Sequence, residues 1–328
     1  MILLSVIIPI YNAEPWLEQC ISSLLDSVAG ASSLVEYILI NDGSTDNSGV
    51  ICDRYASVFS NFHVVHKQNG GIASARNAGI TIASGQYYAW VDPDDTVSPD
   101  WFSSIADTIQ THAPDILVMD MLRFGLGTDQ PEVYGRPGGW IDPELFYTDI
   151  LRDIRMRSGL PNKVMRSGLF SGVQFDTGLT ILEDFDVMPQ ILRSAQKIFY
   201  IPRCLYHYRQ HEKSLLHHFS PDLAFHSVEI ALRRMAKTEK KYRRAAAMAV
   251  IWQAASYLRA AAVWEKESVS PGRNRVCRRI LLRHIPVLLS DRELSLSAKG
   301  RLLLPVLPVY PMLMRIHQKS RKEQEPTI

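Results

Sequence analysis

Three carboxylates, Asp92, Asp94 and Asp95, close the apolar run Gln86-Tyr-Tyr-Ala-Trp-Val91. Carboxylates crowded at a strand end repel one another. A hard divalent cation such as Mg2+ or Mn2+ relieves that repulsion and bridges to phosphate oxygens. The same segment also fits a polar turn, since Asp and Pro are turn formers. A further carboxylate, Asp42, lies in Ile40-Asn-Asp-Gly-Ser-Thr-Asp46. It can accept a hydrogen bond from a base or ribose, with Gly43 permitting the tight turn, or it can belong to an Asx turn before a helix capped by Ser44 or Thr45. In Lys67-Gln-Asn-Gly-Gly-Ile-Ala-Ser-Ala-Arg-Asn77 the pair Gly70-Gly71 opens a helix, whose unpaired N–H groups and dipole suit phosphate. Arg76 and Asn77 would then reach a diphosphate or sugar; the alternative is a packed helix with a glycine cap. The segment is neither GxGxxG nor GxxxxGK[ST], which removes the main support for dinucleotide oxidoreductases and P-loop proteins.

These residues need elements to hold them. Apolar runs at Leu4–Pro9, Tyr37–Ile40, His63–His66 and Tyr87–Val91 predict strands, and the spacing in Pro15–Leu25, Val50–Phe59 and Ile72–Ala83 predicts the intervening helices. Such alternation predicts an α/β, doubly wound, mainly parallel sheet, with ligands at the carboxyl ends of its strands. Further on, Trp101–Thr111 reads as a helix and Ile116–Met121 as a strand. The glycine- and proline-rich segment 125–139 reads as a loop or lid, and Asp222–Glu265 as helical.

The chain of 328 residues is 46% hydrophobic and 21% charged, enough for a large buried core. Its net charge of +2 hides an asymmetry: residues 1–220 hold 15 Lys+Arg against 25 Asp+Glu, and residues 221–328 hold 21 against 9. We therefore expect a boundary near residue 220, followed by a helical, basic region over 221–328. The basic region predicts either contact with an anionic membrane surface or a helical cap with a solvated basic face. No nucleic-acid-binding motif accompanies the charge, and no such partner is expected. The four cysteines (Cys20, Cys52, Cys204, Cys277) have no CxxC spacing and read as free thiols. With no signal peptide and no apolar run of spanning length, the expected location is cytoplasmic, with a peripheral place on the inner membrane face left open.

Taken in order, Ser5-Val-Ile-Ile-Pro-Ile-Tyr-Asn12, Ile40-Asn-Asp-Gly-Ser-Thr-Asp46, Gly70-Gly-Ile-Ala-Ser-Ala-Arg-Asn77 and Val91-Asp-Pro-Asp-Asp95 resemble the nucleotide-sugar half of a family 2 glycosyltransferase of the GT-A fold, of the polysaccharide-biosynthesis type. The resemblance continues through Asn162-Lys-Val-Met-Arg166, Leu182-Glu-Asp-Phe-Asp186 and Tyr206-His-Tyr-Arg-Gln210 to Ser214. It implies a catalytic domain over 1–220 in which Pro9, Tyr11 and Glu14 lie around base and ribose and Asp42 holds the base; the helix start at Gly71, with Arg76, adds the expected contacts to the nucleotide sugar. It further implies that Asp92 and Asp94, with Asp95 beside them, form the metal–diphosphate motif, and that Asp184 of the Glu183-Asp184 pair is the catalytic base. Pro93 fills a middle position that the family usually gives to a small residue.

Elementary chemistry is consistent with those roles. Leaving diphosphate needs Mn2+ or Mg2+ as a Lewis acid, and an attacking hydroxyl needs a carboxylate to take its proton. Adjacent Glu183 and Asp184 raise one another's pKa by repulsion, or simply place acids at a helix N-terminus. The resulting expectation is an inverting hexosyltransferase that moves a sugar from a nucleotide diphosphate, UDP above others, to a saccharide or lipid-linked saccharide. A sugar nucleotidyltransferase and a non-catalytic sugar-nucleotide or glycan-binding module are the alternatives. In 206–218, His207 and His211 on one helix face would suit a metal; lining or flanking the acceptor and diphosphate side, with Arg209 and Lys213 on phosphate, is the favoured reading.

Overall fold

The first four apolar runs form strands; three are buried on both faces, as strands sandwiched between helices must be, and the run at 62–67 lies partly exposed at the sheet edge. In the computed structural model, which describes residues 1–28, 30–211, 220–263, 270–307, 310 and 314, they become β1 (Leu4–Ile10), β2 (Val35–Asp42), β3 (Phe62–Lys67) and β4 (Tyr87–Trp90). Lys213, His217, His218 and most of segment 308–314 lie outside the described residues. Helices α1 (Glu14–Ser27), α2 (Ser48–Val58) and α3 (Gly71–Ile82) connect the four strands, which pair in parallel in the order β3-β2-β1-β4. Alternate residues feed two cores. Val6, Ile8, Tyr37 and Leu39 pack with Leu17, Ile21 and Leu24 of α1, while Ile7, Ile38 and Ile40 pack with Ala73 and Ala75 of α3.

The second half of the sheet is mixed. It is built from β5 (Thr96–Val97), β6 (Ile116–Phe124), β7 (Gln130–Glu132), β8 (Gly139–Ile141), β9 (Lys163–Arg166) and β10 (Ile198–Arg209). Strand β9 runs antiparallel between β4 and β6, and β10 lies parallel to β6. Helices α4 (Trp101–His112), α5 (Pro143–Arg152) and α6 (Glu183–Ile191) complete this part. The segment expected as a plain loop, 125–139, instead contributes β7 to the edge of β6 and the first residue of β8 to β10. Its Tyr134 is buried, with the hydroxyl donating to Asp149 (2.6 Å), so the segment is stitched to the core.

The chain divides into two compact units, residues 1–150 with 155–214, and residues 151–154 with 215–328. The second comprises α7 (Pro221–Lys237), α8 (Arg243–Ala261), α9 (Pro271–Arg283), α10 (Ile285–Leu289) and α11 (Leu296–Leu303). The alanine-rich α8 is its centre, with Ala246, Ala247, Ala249, Val250, Ile251, Ala254 and Ala255 buried. No helix among the described residues is long and apolar enough to cross a membrane.

One turn shows how the rim depends on backbone freedom. Gly43 has φ +71°, and a Cβ there would lie 2.7 Å from the backbone N of Asn69. Strain and collision act together, so Gly43→Ala is expected to cost about 1–3 kcal/mol, read as a lowered midpoint in urea unfolding. An unchanged midpoint would disprove the required approach of the two loops.

Candidate active site

The carboxyl ends of β1, β2 and β4 meet on one rim, and their loops are tied together. Asn12, in a left-handed conformation (φ 49°), accepts from Thr45 N–H (2.8 Å) and donates its own N–H to Ser44 Oγ (3.1 Å). Glu14 accepts from Asn47 Nδ2 (2.6 Å) and N–H (3.0 Å), and Asp46 accepts from Glu14 N–H (3.0 Å). Glu14, expected around base and ribose, thus has both oxygens engaged by the β2–α2 turn. Asp42 is buried, paired with Lys67, and accepts from Gly70 N–H (3.0 Å). Its carboxylate therefore braces the turn before α3. Gly71, at φ +81°, starts that helix with open space around its α-carbon. Pro9 is buried within β1, whereas Tyr11 stands exposed just beyond it.

The three aspartates separate once their partners are seen. Asp95 is fully buried, and accepts from Tyr206 O–H (2.6 Å) at one oxygen and Arg209 N–H (2.7 Å) at the other. The expectation of Asp95 as a metal contact is corrected accordingly: both its oxygens are committed to protein donors. The Tyr206 hydroxyl also accepts from Asp92 N–H (3.1 Å), so one phenol pins both ends of the turn. Asp92 and Asp94 keep their carboxylates part-exposed. Asp94 Oδ2 meets His211 Nε2 at 2.9 Å, and the His211 ring stacks on Trp16 with centroids 4.2 Å apart. Arg209 donates to Asp94 O and to Gln19 Oε1 (2.7 Å each) and lies over the Phe124 ring. Its guanidinium is thereby committed to the turn, against the expected phosphate contact. His207 lies on β10, a strand, and His211 just beyond it, which removes the alternative of both on one helix face.

Arg76 joins this rim to a distant segment. It is 3% exposed, pairs with Glu183, and approaches Asp92 at 3.6 Å. Burial by itself would lower the Arg76 pKa, but Glu183, Asp92 and Asp184 outweigh it and hold the guanidinium charged. Asp92 is pushed up to about 6, by burial first and by Asp94 and Asp184 in addition, with Arg76 opposing. Glu183 opens α6 with Asp184 and Asp186, three acids in one first turn. Glu183 is buried against Arg76 while Asp184 is part-exposed, so the expected catalytic role of Glu183 gives way to a structural one. Arg76→Met should leave Glu183 and Asp92 without their counter-charge. We expect it to lower unfolding free energy by about 3–5 kcal/mol in chemical denaturation; a loss below 1 kcal/mol would contradict the pairing.

A divalent cation can be tested against this arrangement. Among the described residues no group of three or more His, Cys, Asp or Glu side chains could hold a metal by itself. Two part-exposed carboxylates, one with its pKa raised by burial and then by its acidic neighbours, nevertheless fit a hard cation whose remaining ligands are substrate oxygens and water. Sequence reasoning missed the roles of Asp46, Tyr206 and Trp16. Asp46 and Tyr206 carried a signal, their places in the segments Ile40–Asp46 and Tyr206–Gln210, and Trp16 carried none.

Sheet and rim together define a GT-A glycosyltransferase. The chain belongs to glycosyl transferase family 2, whose family model matches residues 5–177. It is 32% identical over 227 residues to the uncharacterized glycosyltransferase EpsJ of Bacillus subtilis, covering 65% of this chain and 62% of that protein. It is 30% identical over 218 residues to the minor teichoic acid biosynthesis protein GgaB of the same organism, covering 63% of this chain and 23% of GgaB. The chain thus spans less than two thirds of either relative. Among solved structures, S. aureus TarS 1–349 superposes with TM-score 0.67 at 18% identity, covering 97% of this chain and 92% of TarS. TarS has also been solved in complex with UDP-GlcNAc. The mannosyltransferase PcManGT from Pyrobaculum calidifontis, in complex with GDP-Man and Mn2+, gives TM-score 0.55 at 16% identity, covering 96% of this chain and 87% of PcManGT.

Proposed function

We propose that this glycosyltransferase is inverting and metal-dependent, and moves a sugar from a nucleotide diphosphate, with UDP as the carrier, to a saccharide or lipid-linked saccharide in cell-surface polysaccharide synthesis. One observation carries the reading: buried Arg76 pairs with Glu183 and approaches Asp92 at 3.6 Å, which ties the acidic first turn of α6, Asp184 included, to the strand-end carboxylates. Tyr11, exposed at the end of β1, offers an aromatic face to the base, with Pro9 behind it and the Asp42 and Glu14 turns shaping the wall. The N-terminus of α3 at Gly71 suits diphosphate oxygens. Asp92 and Asp94 would hold Mn2+ or Mg2+, which when bound neutralises the leaving diphosphate. Asp184 takes the proton of the acceptor hydroxyl as its oxygen bonds to C1 and the C1–O bond to phosphate breaks, which inverts C1.

The UDP-GlcNAc and GDP-Man complexes of the two neighbours support a nucleotide-sugar donor, and the Mn2+ of the second supports the cation. GgaB supports a cell-surface polymer as product. A thermal-shift panel of UDP- and GDP-sugars with Mn2+ tests the donor. The true donor at a hundred times its Kd should stabilise by about 2.7 kcal/mol. No stabilisation by any nucleotide sugar would remove the reading. Release of UDP rather than pyrophosphate separates transfer from a nucleotidyltransferase.

A membrane partner is part of the proposal, through the second unit. On α9, Arg275, Val276, Arg279, Leu282 and Arg283 are all exposed and recur at helical spacing, so arginines flank apolar side chains on one face. Such a face suits anionic headgroups. The protein is expected to float with phosphatidylglycerol liposomes and to lose that association in Arg279→Glu/Arg283→Glu. Equal flotation of both proteins would sink this contact.

A further inference from the structure

The acceptor must reach Asp184 along a path the donor leaves open, and one wall of that path can be read from an unusual lysine. Lys163, the first residue of β9, is 0% exposed. Full burial is rare for lysine unless its charge is compensated. Its Nζ donates to the carbonyl oxygens of Arg157 (2.9 Å) and Gly159 (2.5 Å) and to Asn162 Oδ1 (2.7 Å), one acceptor for each ammonium hydrogen. Asn162 is itself fastened to β6: its Nδ2 donates to Met119 O (3.0 Å) and its carbonyl accepts from Met119 N–H (3.0 Å). One cation therefore gathers segment 157–162 around itself and anchors it to the sheet.

The point that Lys163 grips is the point that meets the base. A Cβ built on Gly159 would lie 3.6 Å from Asp184 Oδ2 and 3.8 Å from Pro161 Cδ. Gly159 is part-exposed, and its φ lies outside the left-handed region, so the backbone does not demand glycine there. What glycine supplies is room beside a carboxylate oxygen. The other oxygen, Oδ1, accepts from Phe185 N–H at 2.6 Å, and Oδ2 is the oxygen beside Gly159. A lysine that merely stapled a loop would explain the three bonds, but not why the stapled residue lacks a side chain at the base.

We infer that the part-exposed backbone at Gly159 forms an acceptor subsite, against which a saccharide ring lies with its hydroxyl at Asp184 Oδ2, and that Lys163 is the positioning residue of that subsite. The inference rests on Asp184 being the base. In the transfer step the hydroxyl proton passes to Oδ2, the hydroxyl oxygen bonds to C1, and the electrons of the C1–O bond leave with the diphosphate.

The test uses the full chain and the nucleotide sugar giving the largest thermal shift. The acceptor probe is the p-nitrophenyl glycoside that most accelerates nucleotide release. Gly159→Ala adds only ordinary contacts and should fold normally. It should raise KM for the glycoside roughly tenfold, while the thermal shift given by the nucleotide sugar stays as in the unmodified protein. Gly159→Leu should abolish glycoside-dependent release with the same thermal shift retained. Lys163→Met should show this split too; if it fails to fold, the glycine variants decide. Unchanged glycoside KM and kcat in Gly159→Leu would overturn the subsite. Loss of the nucleotide-sugar thermal shift in equal measure would overturn it as well, since the defect would then be general. Failure of the base assignment looks different: Asp184→Asn would retain full transfer whatever the glycine variants do.

Discussion

Asp184→Asn is expected to lower kcat for transfer by about 10³-fold while donor binding stays within a factor of about two. Asparagine keeps the shape of the side chain and an oxygen to accept from Phe185 N–H, a bond of 2.6 Å here. It cannot accept the hydroxyl proton. The fold should survive, because losing one of three acids in the first turn of α6 costs only about 0.3–1 kcal/mol. Donor affinity is read by thermal shift and turnover by nucleotide release. Near-normal turnover would remove Asp184 as base and favour a non-catalytic role for the 183–184 pair. Loss of donor binding would mean instead that Asp184 shapes the donor pocket.

Asp94→Ala should act at the other end of the reaction. It removes one of two part-exposed carboxylates and the partner of His211, so metal-dependent donor stabilisation should vanish and turnover should fall to the level left by EDTA. Asp95→Asn is the informative contrast. Both Asp95 oxygens accept hydrogen bonds, and an amide would turn a donor toward Tyr206 O–H or Arg209 N–H. That variant should lose about 1–3 kcal/mol of stability with the metal midpoint little changed. If Asp95→Asn shifted the Mn2+ titration as far as Asp94→Ala, the division of labour drawn within the triplet would be wrong.

Much of the first half was legible because its signals are local. Leu4–Ile10, Val35–Asp42 and Tyr87–Trp90 are strands buried on both faces, and runs of that kind are visible without partners. The glycines at 43 and 71 announced turns because only glycine adopts those conformations at no cost. The second half was less legible. Lys163–Arg166 is four residues long, too short for periodicity, and enters the sheet only because β4 and β6 leave a place between them. Segment 125–139 looked like a loop by composition, yet its backbone finds partners on β6 and β10.

The site divides along the same line. Residue type and order were enough to single out Asp42, Asp92 and Asp94, since clustered carboxylates at strand ends are costly and need a reason, whereas Asp184 came from the family resemblance. They could not apportion the work. Asp92, Asp94 and Asp95 are nearly equivalent as letters. They become different because Tyr206 and Arg209 arrive from more than a hundred residues away to bury one of them, and His211 to hold another. Glu183 and Asp184 are adjacent and alike until Arg76, 107 residues earlier, takes the first and leaves the second part-exposed. The sequence by itself determined which carboxylates exist and that they gather on one rim of an α/β sheet, because strand periodicity and turn chemistry act over a few residues. Only the tertiary structure decided which of them stay open to a substrate, because that depends on which distant donor reaches each one first.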